Sequence, residues 1–114
     1  MVQILVVNPN TTASMTETIA AAARAVAGAW TEVVAVTSSM GPASIEGYYD
    51  EALAVPGLLM EIAAGERAGA QAAIIACFDD TGLDAARAMA SIPVIGICEA
   101  ALSVASYIAS ASQS

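Results

Sequence analysis

Apolar residues recur along this chain in two alternating forms, short unbroken runs and longer mixed stretches rich in alanine. Val2 to Val7 is a β-branched and aliphatic run interrupted only by Gln3, the signature of a strand buried on both faces. Asn8-Pro9-Asn10 stops it. Ser14 and Glu17 have the S-x-x-E spacing of a capping box that opens a helix, and Gly28 closes that helix. Thr31 to Val36 predicts the second strand, and Thr37 to Gly47 a long loop rich in Ser, Gly and Pro. From about Tyr48 to Ala68 the pattern is helical, with Pro56 expected to break or restart it because proline removes a backbone donor. Ala72 to Cys77 predicts the third strand, Leu83 to Ala90 the third helix, Pro93 to Ile97 a short fourth strand and Glu99 to Ala109 a fourth helix. The closing Ala-Ser-Gln-Ser has the composition of a linker.

Strand and helix in strict alternation predict a parallel sheet covered by helices. At 114 residues the chain accommodates one such domain, 1–114, and no internal repeat divides it. In open parallel sheets ligands bind beyond the carboxyl ends of the strands. Chemistry is therefore sought in four loops: Asn8 to Thr12, Thr37 to Gly47, Cys77 to Thr81, and Ile97 to Glu99.

Composition narrows what those loops can do. Eleven acidic residues face only Arg24, Arg67 and Arg87, a net charge of −8, so a phosphate backbone is repelled and nucleic acid is excluded as a partner. Histidine and lysine are both absent. Their absence removes from this chain a Ser-His-Asp triad, a lysine Schiff base, a P-loop lysine and a His-ligated metal site. Proton transfer must use Cys, Asp, Glu or Tyr. No apolar run reaches the roughly 18 residues of a bilayer span, and the start MVQILVVNPN lacks the basic flank of a signal peptide. With two cysteines and no export signal, the expectation is a cytoplasmic protein with free thiols and no membrane contact.

Cys77 ends the third strand. A cysteine there is either an inert small hydrophobe or a base whose thiolate form a following helix N-terminus would favour. Asp79 and Asp80 oppose a thiolate by their charge, and are themselves candidate N-caps for the third helix. Asn8 to Thr12 forms a turn and cap that can also line a ligand pocket. The loop around Ser44 places Tyr48 and Tyr49 above the sheet and suits a pocket wall. Cys98, beginning the last helix, suits a core or capping role.

Four segments, ILVVNPNTT, GPASIEGYYDEA, ACFDDTGLDAAR and IPVIGICEAA, occur in this order across nearly the whole chain. Together they resemble the hydantoin/allantoin racemases of the Asp/Glu racemase superfamily. The resemblance implies a flavodoxin-like three-layer α/β lobe with a four-stranded parallel sheet in the order 2-1-3-4. It also implies cofactor-independent and metal-free racemisation beside a carbonyl, with two thiols on opposite faces of a small hydantoin-like substrate. Cys77 matches one catalytic thiol. Asn8, Ser44, Phe78 and Asp79 match positions that line the substrate pocket. The second thiol belongs to a second lobe, which no part of this sequence matches, and Cys98 lacks its motif. The resemblance thus implies half of a two-lobed enzyme, or a lobe that self-associates. The rival reading is a non-catalytic half-domain that binds a ligand or a partner lobe. A receiver-like domain needs acids after the first strand and a later lysine, and a dinucleotide-binding domain needs G-x-G-x-x-G there; neither is present.

Overall fold

The structure is a computed structural model and describes residues 1–112. Eight elements follow one another: β1 (Val2–Asn8), α1 (Ala13–Val26), β2 (Thr31–Thr37), α2 (Tyr48–Arg67), β3 (Ala72–Ile75), α3 (Leu83–Met89), β4 (Val94–Gly96) and α4 (Ile97–Ser112). The strands form one parallel sheet in the order β2-β1-β3-β4, as the sequence led us to expect. β1 lies inside it, with Ile4 opposite Val33 on one side and Ala72 on the other.

The twofold alternation of strand side chains divides the sheet into two unequal faces. Leu5 and Val7 of β1, Ala73 and Ile75 of β3 and Val94 of β4 point to the side of α2 and α3. There they form the core with Leu58, Ile62, Leu83 and Ala86. The intervening residues Ile4, Val6, Val33 and Ile74 face the other way, towards Ile19, Ala23 and Val26 of α1. One helix cannot cover that face. An apolar groove of about 560 Å³ remains beside α1, reaching Ile97 at the root of α4.

α4 buries none of its residues. Its direction is nonetheless fixed at its base. The Asp80 carboxylate accepts the backbone N–H of Cys98 at 2.9 Å and of Glu99 at 2.8 Å, capping the helix from a distant loop. Arg87 of α3 pairs with Glu99 at 2.7 Å. The hydrogen bond from Arg87 holds the Glu99 carboxyl below the ordinary carboxylate range. Its small, solvent-screened contribution is therefore present above that range and lost as acid protonates Glu99.

Several sequence expectations are corrected in detail. Ser14 does not cap α1: the helix begins at Ala13 after Thr12, and no side-chain cap bond is made. Asn10 supersedes it, accepting the Thr12 N–H at 2.9 Å. Pro56 does not break α2, which runs unbroken from Tyr48 to Arg67. Proline and Ala52, whose carbonyl it leaves without a helical donor, are both exposed, so water can serve instead. β3 stops at Ile75, leaving Cys77 in the loop beyond it. Asp80 does not cap α3; Gly82 holds that position with a left-handed backbone. The expected fourth strand and helix give way to β4 ending at Gly96 and α4 starting at once at Ile97. The expected linker is helical through Ser112, and its last two residues lie outside the described residues.

Candidate functional site

Three of the four strand-end loops converge on one pocket of about 200 Å³. Asn8, Pro9, Asn10 and Met15 come from β1 and the start of α1. Ser44 and Ile45 come from the loop after β2, and Ala76, Cys77, Phe78 and Asp79 from the loop after β3. All five residues singled out from the sequence, Cys77, Asn8, Ser44, Phe78 and Asp79, line this cavity. The fourth loop does not. Cys98 sits away from the pocket, and its amide is taken by Asp80. The larger apolar groove on the sheet face is lined by no acid, base or thiol, whereas the smaller pocket carries both Cys77 and Asp79.

Buried polar groups hold the pocket's floor. Asn8 is 1% exposed. Its amide nitrogen lies 2.8 Å from Asn10 Oδ1, 3.0 Å from Thr16 Oγ1 and 3.2 Å from the Thr12 carbonyl. Its carbonyl oxygen accepts the Asn10 N–H at 3.2 Å. Asn8 therefore shapes the loop with its side chain. Thr16 in turn meets Thr37 Oγ1 at 2.7 Å, tying α1 to the end of β2. The second wall is pinned by two crossing bonds: the Thr11 N–H donates to the Pro42 carbonyl at 3.1 Å and the Thr12 hydroxyl to the Ala43 carbonyl at 2.7 Å. No buried side-chain N or O among the described residues lacks a hydrogen-bond partner. A satisfied polar floor of this kind is rigid, because every rearrangement strands a buried group.

Two sharp constraints shape the loop that carries Cys77. The Asp80 N–H returns to the Cys77 carbonyl at 3.0 Å, closing a tight turn, and Asp80 takes a left-handed backbone with φ 51°. Aspartate tolerates that region better than most residues. Behind the turn the Asp80 carboxyl lies directly on Gly96, where a Cβ would overlap it. Facing the pocket, the Cys77 sulfur sits 3.2 Å from the Thr81 hydroxyl, which lies 3.3 Å from Glu51 Oε1 of α2. Sequence reasoning did not find Thr81 or Glu51 as neighbours of the thiol. Thr81 follows Cys77 by only four positions and had that signal available; Glu51 lies thirty residues before Thr81 and had none. Pro9, Asn10, Met15 and Ile45 were also missed as individual lining residues.

Among the described residues no cluster of His, Cys, Asp and Glu could hold a metal ion. No helix among them is long and apolar enough to cross a membrane. Both cysteines are free and half-buried.

Comparison with known proteins matches residues 4–110 to the Asp/Glu/hydantoin racemase family model. A hydantoin racemase of Pseudomonas sp. (strain NS671) is 50% identical over 107 residues, which is 94% of this chain and 43% of that protein. A hydantoin racemase of Rhizobium meliloti is 55% identical over 102 residues, covering 90% of this chain and 42% of the relative. Among solved structures, an allantoin racemase from Klebsiella pneumoniae superposes with a TM-score of 0.91 at 53% identity, over 94% of this chain and 44% of that one. The chain thus spans less than half the length of the relatives it matches. Matching in sequence from β1 into α4, and in fold over the same span, the chain belongs to the Asp/Glu/hydantoin racemase family.

Proposed function

We propose that this chain is the first lobe of a racemase of hydantoin or allantoin type, supplying Cys77 as one of two thiols in a cofactor-independent proton transfer. The observation that carries the reading is the pocket in which Cys77 stands beside Asn8, Ser44, Phe78 and Asp79. The C5 proton of a hydantoin lies next to a carbonyl and is acidified by it. A positioned thiolate removes that proton, forming an S–H bond while the C–H electrons move into the enolate. Backbone amides of Phe78 and Asp79, at the pocket wall, are the donors suited to the enolate oxygen. Ser44 offers a hydroxyl to the ring from the facing wall. A thiol on the opposite face then returns a proton to carbon and inverts it.

Cys98 is unsuited to that second part. It does not line the pocket, and its backbone is engaged in the α4 cap. Iodoacetamide should modify Cys77 faster than Cys98, as read by peptide mass spectrometry, because Cys77 borders the pocket and Cys98 does not. Equal or faster labelling of Cys98 would reject the assignment.

The chain by itself is expected not to racemise hydantoins, since it places one thiol on one side of the substrate. It is also expected to self-associate. The uncovered sheet face and the exposed apolar residues Leu102, Val104, Tyr107 and Ile108 of α4 leave hydrophobic surface of the kind that finds a partner. Polarimetry and light scattering test both expectations together. Loss of optical rotation would show that a single lobe, or a dimer of it, completes a two-thiol site, and a monodisperse monomer would remove the argument from exposed surface.

A further inference from the structure

Adjoining the pocket at Asp79, a second, open cleft of about 460 Å³ is lined by Gly47, Tyr48, Glu51 and Asp79. Asp79 borders both cavities, and a chain of polar contacts runs from the Cys77 sulfur through Thr81 to Glu51, which lines the second cleft. Thr81 is 3% exposed. Its hydroxyl donates to Glu51 Oε1 at 3.3 Å. A hydroxyl has one hydrogen. With that hydrogen directed at Glu51, the Cys77 contact at 3.2 Å must be made by the S–H donating to the Thr81 oxygen.

Resting on the racemase reading, we propose that Thr81 and Glu51 are a proton relay that connects the Cys77 thiol to solvent without crossing the substrate pocket. After the thiolate has taken the substrate proton, the S–H bond breaks as its proton passes to Thr81 Oγ. The hydrogen already on Thr81 passes to the Glu51 carboxylate. Glu51 then yields a proton to water in the outer cleft. The sum is a thiolate restored and one proton delivered to solvent, with threonine unchanged. A racemase that takes a proton on one face and gives one on the other must reset both groups between turnovers. A ligand in the pocket fills the direct route from Cys77 to water, whereas Glu51 lines the other cleft and not the pocket.

The relay makes a prediction that simple support of the loop does not. In Glu51→Gln the new amide can donate to the Thr81 oxygen, which turns the threonine hydrogen towards sulfur and favours the thiolate. Iodoacetamide alkylation of Cys77 at fixed neutral pH should rise roughly tenfold, the worth of one hydrogen bond to an anion. Cys98 in the same molecules serves as the internal reference. Thr81→Val removes the hydroxyl and leaves the Glu51 charge, so alkylation should be no faster than in the unaltered chain. Thr81→Ser should restore the original rate. If Glu51→Gln leaves the Cys77/Cys98 rate ratio unchanged, the relay is wrong. If Thr81→Val speeds labelling as much as Glu51→Gln, the pair merely packs the loop and the relay is likewise wrong. Should Thr81→Val not fold, as judged by circular dichroism, the Glu51→Gln and Thr81→Ser rates decide the matter. These rates are read without substrate, so they stand or fall separately from the racemase reading, which optical rotation judges.

Discussion

In a two-lobed racemase carrying this lobe, Cys77→Ser is expected to cut racemisation by about 10²–10⁴-fold, the usual worth of a positioned general base or acid. The substitution exchanges sulfur for oxygen and leaves the turn from Cys77 to Asp80 intact, since that turn is closed by main-chain atoms. Unfolding should therefore be nearly unchanged. A serine hydroxyl is too weak an acid to be populated as its anion near neutral pH, so geometry is kept while the base is lost. Polarimetry with a 5-substituted hydantoin and with allantoin gives the rate, and circular dichroism gives the fold. Turnover within a few-fold of the original would refute a role for the thiol in proton transfer. It would leave the half-domain that binds without catalysing as the better account of the pocket.

The second large effect concerns Gly96. Adding a methyl there drives it into the Asp80 carboxyl, which cannot retreat without releasing the Cys98 and Glu99 amides. Gly96→Ala is expected to cost about 2–4 kcal/mol, combining overpacking with loss of charge-assisted bonds. Urea unfolding measures it. A double-mutant cycle makes the cause explicit. Asp80→Gly removes the carboxyl and the left-handed strain at once, at the expense of the α4 cap. In that background Gly96→Ala should be much milder than alone. Additive costs would show that the two residues do not meet as described.

How much of this was legible beforehand depends on the range of the forces involved. The four strands could be read because aliphatic runs such as Ile4 to Val7 leave little choice of structure or burial, whereas their order came from the family resemblance. The pocket's lining was legible for a related reason. In a parallel sheet the carboxyl ends of neighbouring strands lie together, so Asn8, Ser44 and Cys77 were bound to be neighbours once the order was known. Local propensity misled where a tertiary contact outweighed it. Asp80 precedes α3 and has the chemistry of its cap, yet its carboxylate crosses to α4 because Gly96 leaves room for it. Ser14 and Glu17 have capping-box spacing, but the Asn8–Asn10 cluster had already organised the helix entry. Pro56 carries a strong rule against helix interiors, and α2 absorbs it on a wet face. Glu51 illustrates the limit: no pattern in a single sequence places a residue of α2 against Thr81, thirty positions ahead.

The central position of β1 has a consequence for biosynthesis. β1 is made before its neighbours, and its inner neighbour begins only at Ala72. At the ribosome's pace of about 5–20 residues per second, Leu5, Val6 and Val7 wait several seconds for a complete sheet to join. Pairing with β2 comes earlier and covers only one edge. During that interval the nascent chain presents a flat aliphatic strand with an unpaired rim, the form most open to capture by another chain. The lobe's first strand is thus the one that waits longest between its own synthesis and its enclosure, and fast synthesis or a holding chaperone should raise its yield more than any stabilising change made on α4.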